Sequence, residues 1–312
     1  MARRISIGTW AYAIGPYADR PVPFPEVVER LAELGFDGLE LGCFGRHPNP
    51  DLLENKDQRD ELRCLWQSRG MGCSGLAADL WGQRLITSAR PDAYLAAFRK
   101  NLRFCEDLEI DVIRVDTTEP PGTLGPVAGE RPAGAPIDYD RALKRVVRTW
   151  RECAKMAADR GVRIVWEFEP AFAFNKPSDV FRVLDGVDDD NFYALLDTSH
   201  ANMMAVHGAR QVGQPETLRE GIRELARRLE GKVGRLHLAD SDGTLNDGRT
   251  STHVPLGQGD LDFDELVPAL IDAGCPDDWW TIDLSRWPDA WRATEACKQF
   301  VDALAKKHET LV

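Results

Sequence analysis

The chain has 312 residues, of which 43% are hydrophobic and 29% charged, and this mixture excludes a disordered or fibrous protein. Its formal net charge of -12 would repel phosphate backbones, which argues against a nucleic-acid partner. Because we find neither a signal-peptide core nor an apolar run of roughly 18 residues, and the seven cysteines show no Cys-x-x-Cys spacing, we expect a cytoplasmic protein with reduced thiols and no membrane partner.

Eight short apolar segments alternate with longer amphipathic segments along the chain. The apolar segments are predicted strands at residues 5–9, 38–41, 73–77, 112–116, 162–167, 193–197, 234–238 and 280–284. The segments between them place apolar residues three or four positions apart, which predicts helices, for example at residues 25–34, 95–108 and 141–160. Several of these helices end in a glycine directly before the next strand, as tight helix-to-strand turns require.

This alternation predicts an α/β fold, a (β/α)8 TIM barrel with a parallel eight-stranded sheet. Strands separated by helices pair in parallel, and eight of them favour a closed barrel over an open sheet. No Gly-x-Gly-x-x-Gly follows the first strand, which argues against a dinucleotide-binding fold. Since no linker or low-complexity run interrupts the pattern, we expect residues 1–312 to form a single domain.

The longest irregular stretch is the Pro- and Gly-rich segment 117–136, which follows the fourth predicted strand. TIM barrels place their active sites at this end of the strands. The segment is therefore either a lid over the site or an ordinary surface loop, and the sequence does not choose between the two.

Each of the last four predicted strands carries a charged or ionisable residue where an apolar one is expected. Glu167, Asp197 and Asp283 lie at the ends of their strands, and His237 lies within its own. Carboxylates that converge at a barrel mouth would repel one another in a partly desolvated site, and a cation removes that conflict. Three carboxylates and one imidazole form a hard, oxygen-rich set, so we predict one divalent metal ion, Mn²⁺ or Mg²⁺ by preference, with Zn²⁺ or Co²⁺ tolerated.

In this order along the chain, these residues resemble the xylose isomerase-like superfamily, the TIM barrels of sugar (phosphate) isomerases and epimerases, over nearly the whole length. The shared features are a strand-5 Glu, a strand-6 Asp-x-x-His, a strand-7 His, a strand-8 acidic residue and a Gly-x-Gly turn: Glu167, Asp197 with His200, His237, Asp283, and Gly257 with Gly259. The resemblance to ketose 3-epimerases implies metal binding at the four positions named above and a substrate contact at His200. Two features depart from the pattern. Asp283 stands where many relatives have Glu, and the basic substrate contact after the seventh strand matches either Arg249 or His253.

The resemblance implies a metal-dependent isomerase or epimerase whose partner is a small-molecule sugar. In such a site the metal would chelate a carbonyl and a neighbouring hydroxyl and stabilise the enediolate that forms when the proton α to the carbonyl leaves. Glu167 and Asp283 are the predicted general acid–base pair. Barrels of this kind often form homo-oligomers, and the sequence leaves the oligomeric state open. The residues expected to contact the substrate are His200, Glu169, Arg249 and Trp10.

Three further acidic residues have two interpretations each. Glu169 follows Glu167 by two positions on the same face, so it either binds a substrate hydroxyl or replaces Glu167 as the metal ligand. Glu40 and Asp116 end the second and fourth strands, and they fit sugar binding and a structural role equally well.

Several aromatic and histidine side chains are also assigned from their positions. Trp10, Trp81 and Trp166 lie at or near strand ends, where they could form the apolar walls of a sugar site or pack in the core. His47 and His207 lie in polar, loop-like stretches, and we expect both to face solvent, with an extra metal ligand as the alternative for His207.

Other functions compete with this interpretation. A metal-dependent dehydratase or lyase acting on a keto-inositol or a 3-keto-sugar is the first alternative, because enolisation also precedes the loss of a β-hydroxyl. The second is a non-catalytic sugar-binding barrel. A metal-dependent DNA endonuclease is disfavoured by the acidic charge and the six histidines. The sequence identifies neither the sugar nor the metal.

Overall fold

The computed structural model of the protein describes residues 3–131, 134–276 and 278–308. It contains eight parallel strands that match the eight predicted segments to within two residues at each end. The strands are β1 (Arg4–Ile7), β2 (Gly38–Gly42), β3 (Gly72–Ala77), β4 (Val112–Val115), β5 (Arg163–Glu167), β6 (Phe192–Asp197), β7 (Val233–Leu238) and β8 (Trp279–Ile282).

Helices follow the strands, and the described ranges contain nine α-helices. Two of them, α6 and α7, follow β6, and every other strand is followed by one. Among the described residues, no helix combines the length and the apolar composition needed to cross a membrane. The helices are α1 (Phe24–Glu33), α2 (Lys56–Gln67), α3 (Asp92–Leu108), α4 (Tyr139–Ala158), α5 (Pro177–Val187), α6 (Thr198–Ala205), α7 (Gly221–Arg228), α8 (Phe263–Asp272) and α9 (Ala290–Lys307).

The sheet closes on itself between β1 and β2. The hydrogen-bonded order runs from β1 through β8, β7, β6, β5, β4 and β3 to β2, so the remaining seam lies between the two end strands. At this seam Gly8 and Glu40 form a parallel bridge. Asp37 adds two hydrogen bonds to Ile5: its backbone N–H donates to the Ile5 carbonyl at 3.0 Å, and its Oδ2 accepts from the Ile5 N–H at 2.8 Å. The predicted (β/α)8 TIM barrel is thereby confirmed.

An aromatic cluster fills the layer between the sheet and the outer helices. The Trp150 ring on α4 lies 5.3 Å from the Trp166 ring and 5.2 Å from the Phe192 ring. Its indole N–H donates to the Tyr94 hydroxyl on α3 at 2.9 Å, and both side chains are fully buried. Trp166 therefore packs outward in the core, so its interpretation as a wall of the sugar site is wrong.

The barrel interior combines buried polar side chains with a small apolar cluster of Val112, Val165 and Leu195, in contrast to the apolar outer layer. Ser6 Oγ lies 2.9 Å from both Ser74 Oγ and Thr281 Oγ1, so three hydroxyls from β1, β3 and β8 form a buried hydrogen-bonded chain. Strand residues that alternate between the two faces place their inward side chains in this interior. The ends of the same strands consequently deliver polar groups to the mouth of the barrel.

The segment after β4 lies across this mouth. Thr117 Oγ1 donates to the Ala173 carbonyl at 2.9 Å, and Val127 forms an antiparallel bridge with Val212. Pro120 lines the cavity at the mouth. Residues 132 and 133 of the predicted loop lie outside the described residues. The loop is thus placed beside the site, and its action as a moving lid stays a prediction.

Replacing Tyr94 by Phe tests the buried hydrogen bond that joins α3 to α4. The substitution keeps the ring but leaves the Trp150 indole N–H buried without an acceptor. We expect it to lower the free energy of unfolding by about 1–3 kcal/mol, the cost of an unsatisfied buried donor. Urea unfolding followed by circular dichroism measures this difference.

Tyr193→Phe is the matched control. Tyr193 is half-buried, and its hydroxyl makes no hydrogen bond to any residue in the described part of the chain. We expect a change below about 0.5 kcal/mol. Equal losses in both variants would contradict a specific contribution from the Trp150–Tyr94 hydrogen bond.

Candidate metal centre

The four predicted ligands meet at the mouth of the barrel. Glu167 and Asp197 are the last residues of β5 and β6, His237 lies in β7, and Asp283 follows β8 directly. One potential ligand atom from each lies within 4.8 Å of the others. All four side chains are buried, with at most 4% of each residue exposed. The structure therefore brings together the four residues that the sequence singled out.

Glu167 is held on one side by an arginine from the neighbouring strand. Arg114 Nη1 on β4 lies 2.9 Å from Glu167 Oε2 in a fully buried ion pair. Oε1 of the same carboxylate makes no hydrogen bond within the described residues and faces His237 Nδ1 at 3.2 Å. One oxygen is thus satisfied by the protein, and the other is available at the centre.

The two oxygens of the Asp197 carboxylate also have different surroundings, because one of them caps a helix. Its Oδ1 accepts the backbone N–H of His200 at 2.7 Å, which satisfies a free donor in the first turn of α6. Its Oδ2 has no hydrogen-bond partner among the residues that the structure describes. The capping bond therefore fixes the side chain and leaves the second oxygen free.

His237 and Asp283 complete the pattern. His237 Nε2 lies 3.0 Å from Glu40 Oε2, which leaves Nδ1 directed at the centre, 3.3 Å from Asp283 Oδ2. Asp283 Oδ1 accepts from Trp10 Nε1 at 2.8 Å and lies 3.0 Å from His253 Nδ1. The bond to Glu40 orients the imidazole, as a carboxylate partner commonly does for a histidine that binds a metal. Glu40 therefore contacts a predicted ligand.

These contacts leave four inward-facing atoms at the centre. Three of them are buried and lack a hydrogen-bond partner within residues 3–131, 134–276 and 278–308: Glu167 Oε1, Asp197 Oδ2 and His237 Nδ1. Buried polar atoms are almost always hydrogen-bonded, so a convergent group without partners indicates a missing ion or water. Three carboxylate oxygens, including Asp283 Oδ2, and one imidazole nitrogen suit a divalent cation. The residues present therefore fit the predicted metal.

The pKa values of the carboxylates reflect the crowding of charge. Burial opposes ionisation of Glu167, but the charges of Arg114 and His237 lower its pKa to about 2. Burial raises the pKa of Asp197 to about 7, despite the positive charge of His253. Burial also opposes ionisation of Asp283, but His253 and His237 hold its pKa well below the usual value. The cluster thus contains two firmly ionised carboxylates and one, Asp197, that would hold a proton near neutral pH when no cation balances it.

The imidazole of His237 carries the compensating charge. Burial disfavours the protonated ring, but the charge of Glu40 and the hydrogen bonds to Asp283 and Glu167 hold the pKa of His237 well above its usual value. Groups that stabilise a proton so strongly would also stabilise a divalent cation. Binding a metal through Nδ1 would displace that proton.

A cavity of about 430 Å³ opens above the four ligands. Such a volume lies within the range of small-molecule sites. On one side its wall is aromatic: the Phe44 and Trp81 rings stack with centroids 4.7 Å apart, and Trp10 lies 6.4 Å from Phe44. Trp81 Nε1 donates to Asp116 Oδ2 at 2.9 Å, which holds the exposed ring in place. Trp10 and Trp81 therefore line the cavity, and their role as walls of a sugar site stays a prediction.

Polar side chains line the other side. His200 Nδ1 lies 2.9 Å from Ser251 Oγ, and its Nε2 lies 3.7 Å from Glu169 Oε2. Glu169 also accepts a hydrogen bond from the Thr250 hydroxyl. Burial raises the pKa of Glu169 to about 8, and the negative charges of Glu167 and other carboxylates add to the effect. His200 and Glu169 thus line the cavity beside the metal ligands, where their roles as substrate contacts stay predictions.

The two candidates for the basic residue after β7 occupy different depths. His253 is buried, and its Nε2 lies 3.8 Å from Asp197 Oδ1. Arg249 lies at the rim with its side chain 63% exposed, and its Nη1 contacts Glu130 Oε2 at 3.0 Å. Both line the cavity. His253 therefore lies beside the predicted metal ligands, and Arg249 lies at the rim.

Sequence reasoning missed two arginines and misplaced one histidine. Arg114 interrupts the apolar strand β4 on the same face as Asp116, a signal that could have identified it. Arg286 lies three residues after Asp283 and lines the cavity. His47, expected in solvent, is buried with its Nε2 3.0 Å from the Val22 carbonyl, so that expectation is wrong.

Comparisons with known proteins agree with this architecture. The xylose isomerase-like TIM barrel model matches residues 28–299. The inosose dehydratase of Yersinia enterocolitica is 21% identical over 273 residues, which cover 85% of this chain and 83% of the relative. D-psicose 3-epimerase from Clostridium cellulolyticum, solved with D-tagatose, aligns with a TM-score of 0.70 at 18% identity, over 96% of this chain and 98% of its own. The IOLI protein, solved with a bound zinc atom, aligns with a TM-score of 0.71 at 18% identity, over 97% and 98%. At these identities the two solved structures establish a shared fold.

Replacing Glu40 by Gln tests whether this carboxylate supports the metal ligand His237. The amide can still accept from Nε2–H but lacks the negative charge that makes the imidazole a stronger donor to a metal. We expect the affinity for Mn²⁺ or Zn²⁺ to fall about 10- to 100-fold, as is typical when such a partner is changed. Isothermal titration of the metal-free protein measures this affinity.

Two further variants serve as the negative and the positive control for this measurement. Glu33→Gln removes an exposed charge at the end of α1 and is expected to leave the affinity unchanged. His237→Ala removes a ligand outright, so we expect it to lower both the metal content and the thermal midpoint. Stoichiometric metal retained in His237→Ala would contradict the assignment of His237 as a ligand.

Proposed function

The chain belongs to the xylose isomerase-like TIM barrel family, and we propose that it is a divalent-metal-dependent sugar isomerase or epimerase. The observation that carries the proposal is the set of four buried side chains whose free atoms converge on one point below a cavity of about 430 Å³. Its similarity in fold to D-psicose 3-epimerase supports the substrate class. The reaction would begin with removal of the proton on the carbon α to a carbonyl.

The metal and the protein would divide the chemistry between them. A bound divalent cation supplies Lewis-acid polarisation of the carbonyl and stabilises the negative charge that develops on its oxygen. Glu167 and Asp283 both line the cavity and come from β5 and from the end of β8. One of these carboxylates removes the proton, and the other returns a proton from a different direction. Return to the opposite face of the same carbon gives an epimer, and return to the adjacent carbon gives an isomer.

His200 and Glu169 would orient the sugar. Both side chains are buried in the cavity wall beside the predicted ligands. His200 Nε2 lies 3.7 Å from Glu169 Oε2. Burial lowers the pKa of His200 to about 3, so its ring is neutral at physiological pH. A neutral imidazole and a neighbouring carboxyl group offer a hydrogen-bond donor and an acceptor to sugar hydroxyls.

The aromatic wall would exclude water and position the ring or chain of the sugar. Trp10, Phe44 and Trp81 present apolar faces on the side of the cavity opposite the polar residues. Sugars commonly stack their C–H faces on such rings. A site that is apolar on one side and polar on the other suits a polyhydroxylated substrate.

A dehydratase is the second candidate function. It is favoured by the 21% identity to an inosose dehydratase over 85% of this chain. The same proton abstraction by Glu167 or Asp283 would then be followed by loss of a β-hydroxyl as water. Only the product separates this reaction from epimerisation.

Deuterium exchange tests the proposed function. The protein is incubated with Mn²⁺ in D₂O with a panel of ketoses and keto-inositols, and carbon-bound deuterium is measured by NMR and mass spectrometry. We expect deuterium to appear at the carbon α to the carbonyl of at least one compound, because the abstracted proton exchanges with solvent. A product of unchanged formula apart from deuterium indicates an epimerase or isomerase, and a product lighter by one water indicates a dehydratase.

The control is the same incubation after chelation of the metal. Exchange that persists at full rate without metal would contradict a metal-dependent reaction. Absence of exchange across the whole panel, in protein that contains stoichiometric metal, would favour a sugar-binding protein without catalytic activity.

Replacing His200 by Ala tests its assignment as a substrate contact. Because its ring is not among the four ligands, we expect the metal content to be unchanged. The loss of a buried hydrogen bond to the substrate should lower kcat/KM for the exchange reaction about 10- to 100-fold. His207→Ala, which removes an exposed imidazole, is the control and should change neither quantity. Loss of metal in His200→Ala would instead identify His200 as a ligand.

A further inference from the structure

The rim of the cavity carries positive charge, in contrast to its acidic floor. Four arginines line the cavity: Arg114, Arg210, Arg249 and Arg286. Arg114 lies deep in the barrel and pairs with a predicted metal ligand, and the other three lie nearer the rim. In a chain with a net charge of -12, three arginines gathered at the mouth of one cavity call for a physical reason.

A single carboxylate serves two of the rim arginines. Glu130 forms an ion pair with Arg210 and a second with Arg249, the latter at 3.0 Å. Arg210 also donates to the Arg249 carbonyl at 3.1 Å. These contacts join the loops after β4, β6 and β7. The positive charges of Arg210 and Arg249 are therefore largely neutralised by Glu130.

Arg286 is different because its guanidinium has no partner. Within the described ranges it forms no ion pair, hydrogen bond or stacking contact, although it lines the cavity. Its backbone has φ +61°, a left-handed conformation that non-glycine residues adopt only at a cost, and Arg210 (φ +53°) and Arg249 (φ +60°) share it. The residue is exposed, so solvent hydrates its charge and the guanidinium is accessible to a ligand at the mouth of the cavity.

The neighbouring loops make room for this side chain. A Cβ at Gly15 would lie 2.9 Å from Cα, Cβ and Cγ of Arg286, and a Cβ at Gly248 would lie 3.3 Å from Nη2. The first part of the side chain therefore packs on one glycine, and the guanidinium lies beside the other. Two glycines on separate loops thus leave the space that holds the guanidinium at the rim.

We propose that Arg286 binds an anionic group, a carboxylate or a phosphate, at the end of the sugar that is distant from the metal ligands. The inference rests on the proposed function, because it assumes that the reacting carbonyl lies at the metal. A guanidinium presents parallel N–H donors that match two oxygens of either anion. Within the carboxylate-lined floor an anion would be repelled, whereas at the rim it would meet Arg286, which has no ion-pair partner among the described residues. The substrate class is therefore an anionic keto-sugar.

Ligand binding to the Mn²⁺-loaded protein tests this inference. The probes are the four D-ketohexoses, each offered as the neutral sugar, as its 6-phosphate and as the 6-carboxylate, and affinity is measured from quenching of tryptophan fluorescence. We expect at least one anionic form to bind about 10- to 100-fold more tightly than its neutral parent, the range for a charge-assisted hydrogen-bonded pair. The phosphate and carboxylate arms identify which anion is preferred.

Variants assign the preference to Arg286. Arg286→Gln should bring the affinity for the anionic form down to that of the neutral parent, and Arg286→Lys should retain part of the preference. Arg292→Gln removes an exposed arginine on α9 that is remote from the cavity lining, and should leave the preference intact. Arg286→Gly guards against misfolding: because glycine accepts positive φ, it should keep or raise the thermal midpoint while abolishing the preference.

The outcomes separate this inference from the proposed function. Neutral sugars that bind as tightly as all their anionic forms would overturn the role of Arg286, as would a preference that survives in Arg286→Gln. Deuterium exchange with the same compounds is measured in parallel. Anion preference without any exchange would count against the enzymatic proposal alone, and exchange without anion preference would count against Arg286 alone.

Discussion

The structure depends on one electrostatic constraint: acidic side chains from separate strands are held together out of contact with water. Each predicted ligand has one atom bound by the protein and a second atom left at the centre. Glu167 has Arg114, Asp283 has the His253 ring, and Asp197 has the first turn of α6. Removing such groups from water costs several kcal/mol each unless they are fully paired. Protein groups pair with one atom of each predicted ligand, and a cation would pair with the other.

Because the barrel is closed, the predicted ligands and the side chains that support them can come from different strands. The four ligands come from β5 to β8, whereas Glu40, Arg114 and Trp10, which hold them, come from β2, β4 and the turn after β1. The two sets of strands meet across the β8–β1 pairing and across the β4–β5 pairing. Separating them would leave the ligands without support. Metal binding and the stability of the barrel are therefore linked, since a preformed site does not exist in the unfolded chain.

Local patterns predicted the strands and the four residues that cluster at the mouth, but not the side chains that each of the four contacts. An apolar run that ends in Glu167 or Asp197 can be recognised within a few residues of sequence. The bond between His237 and Glu40 joins residues 197 positions apart, so no local window contains both. His47 illustrates the reverse error. Its segment is polar, but the ring packs against Phe24 with centroids 5.5 Å apart, a contact that only the fold creates.

Competition for oxygen atoms limits how the reaction can proceed. Asp283 Oδ1 is held by Trp10 and His253, so Oδ2 alone remains both to bind a cation and to move a proton. Glu167 is restricted in the same way by Arg114. A carboxylate oxygen that coordinates a metal is a weaker base, because the cation lowers its pKa. Glu169 accepts a hydrogen bond from the Thr250 hydroxyl and lies 3.7 Å from His200 Nε2, and with Glu167 and His200 it forms a second group that could hold a metal ion. In the proposed reaction its carboxyl group would be available either to the substrate or to the cation. In the proposed reaction, the choice between returning the proton and expelling a hydroxyl would therefore depend on which carboxylate still has a free oxygen once a cation and the sugar are bound.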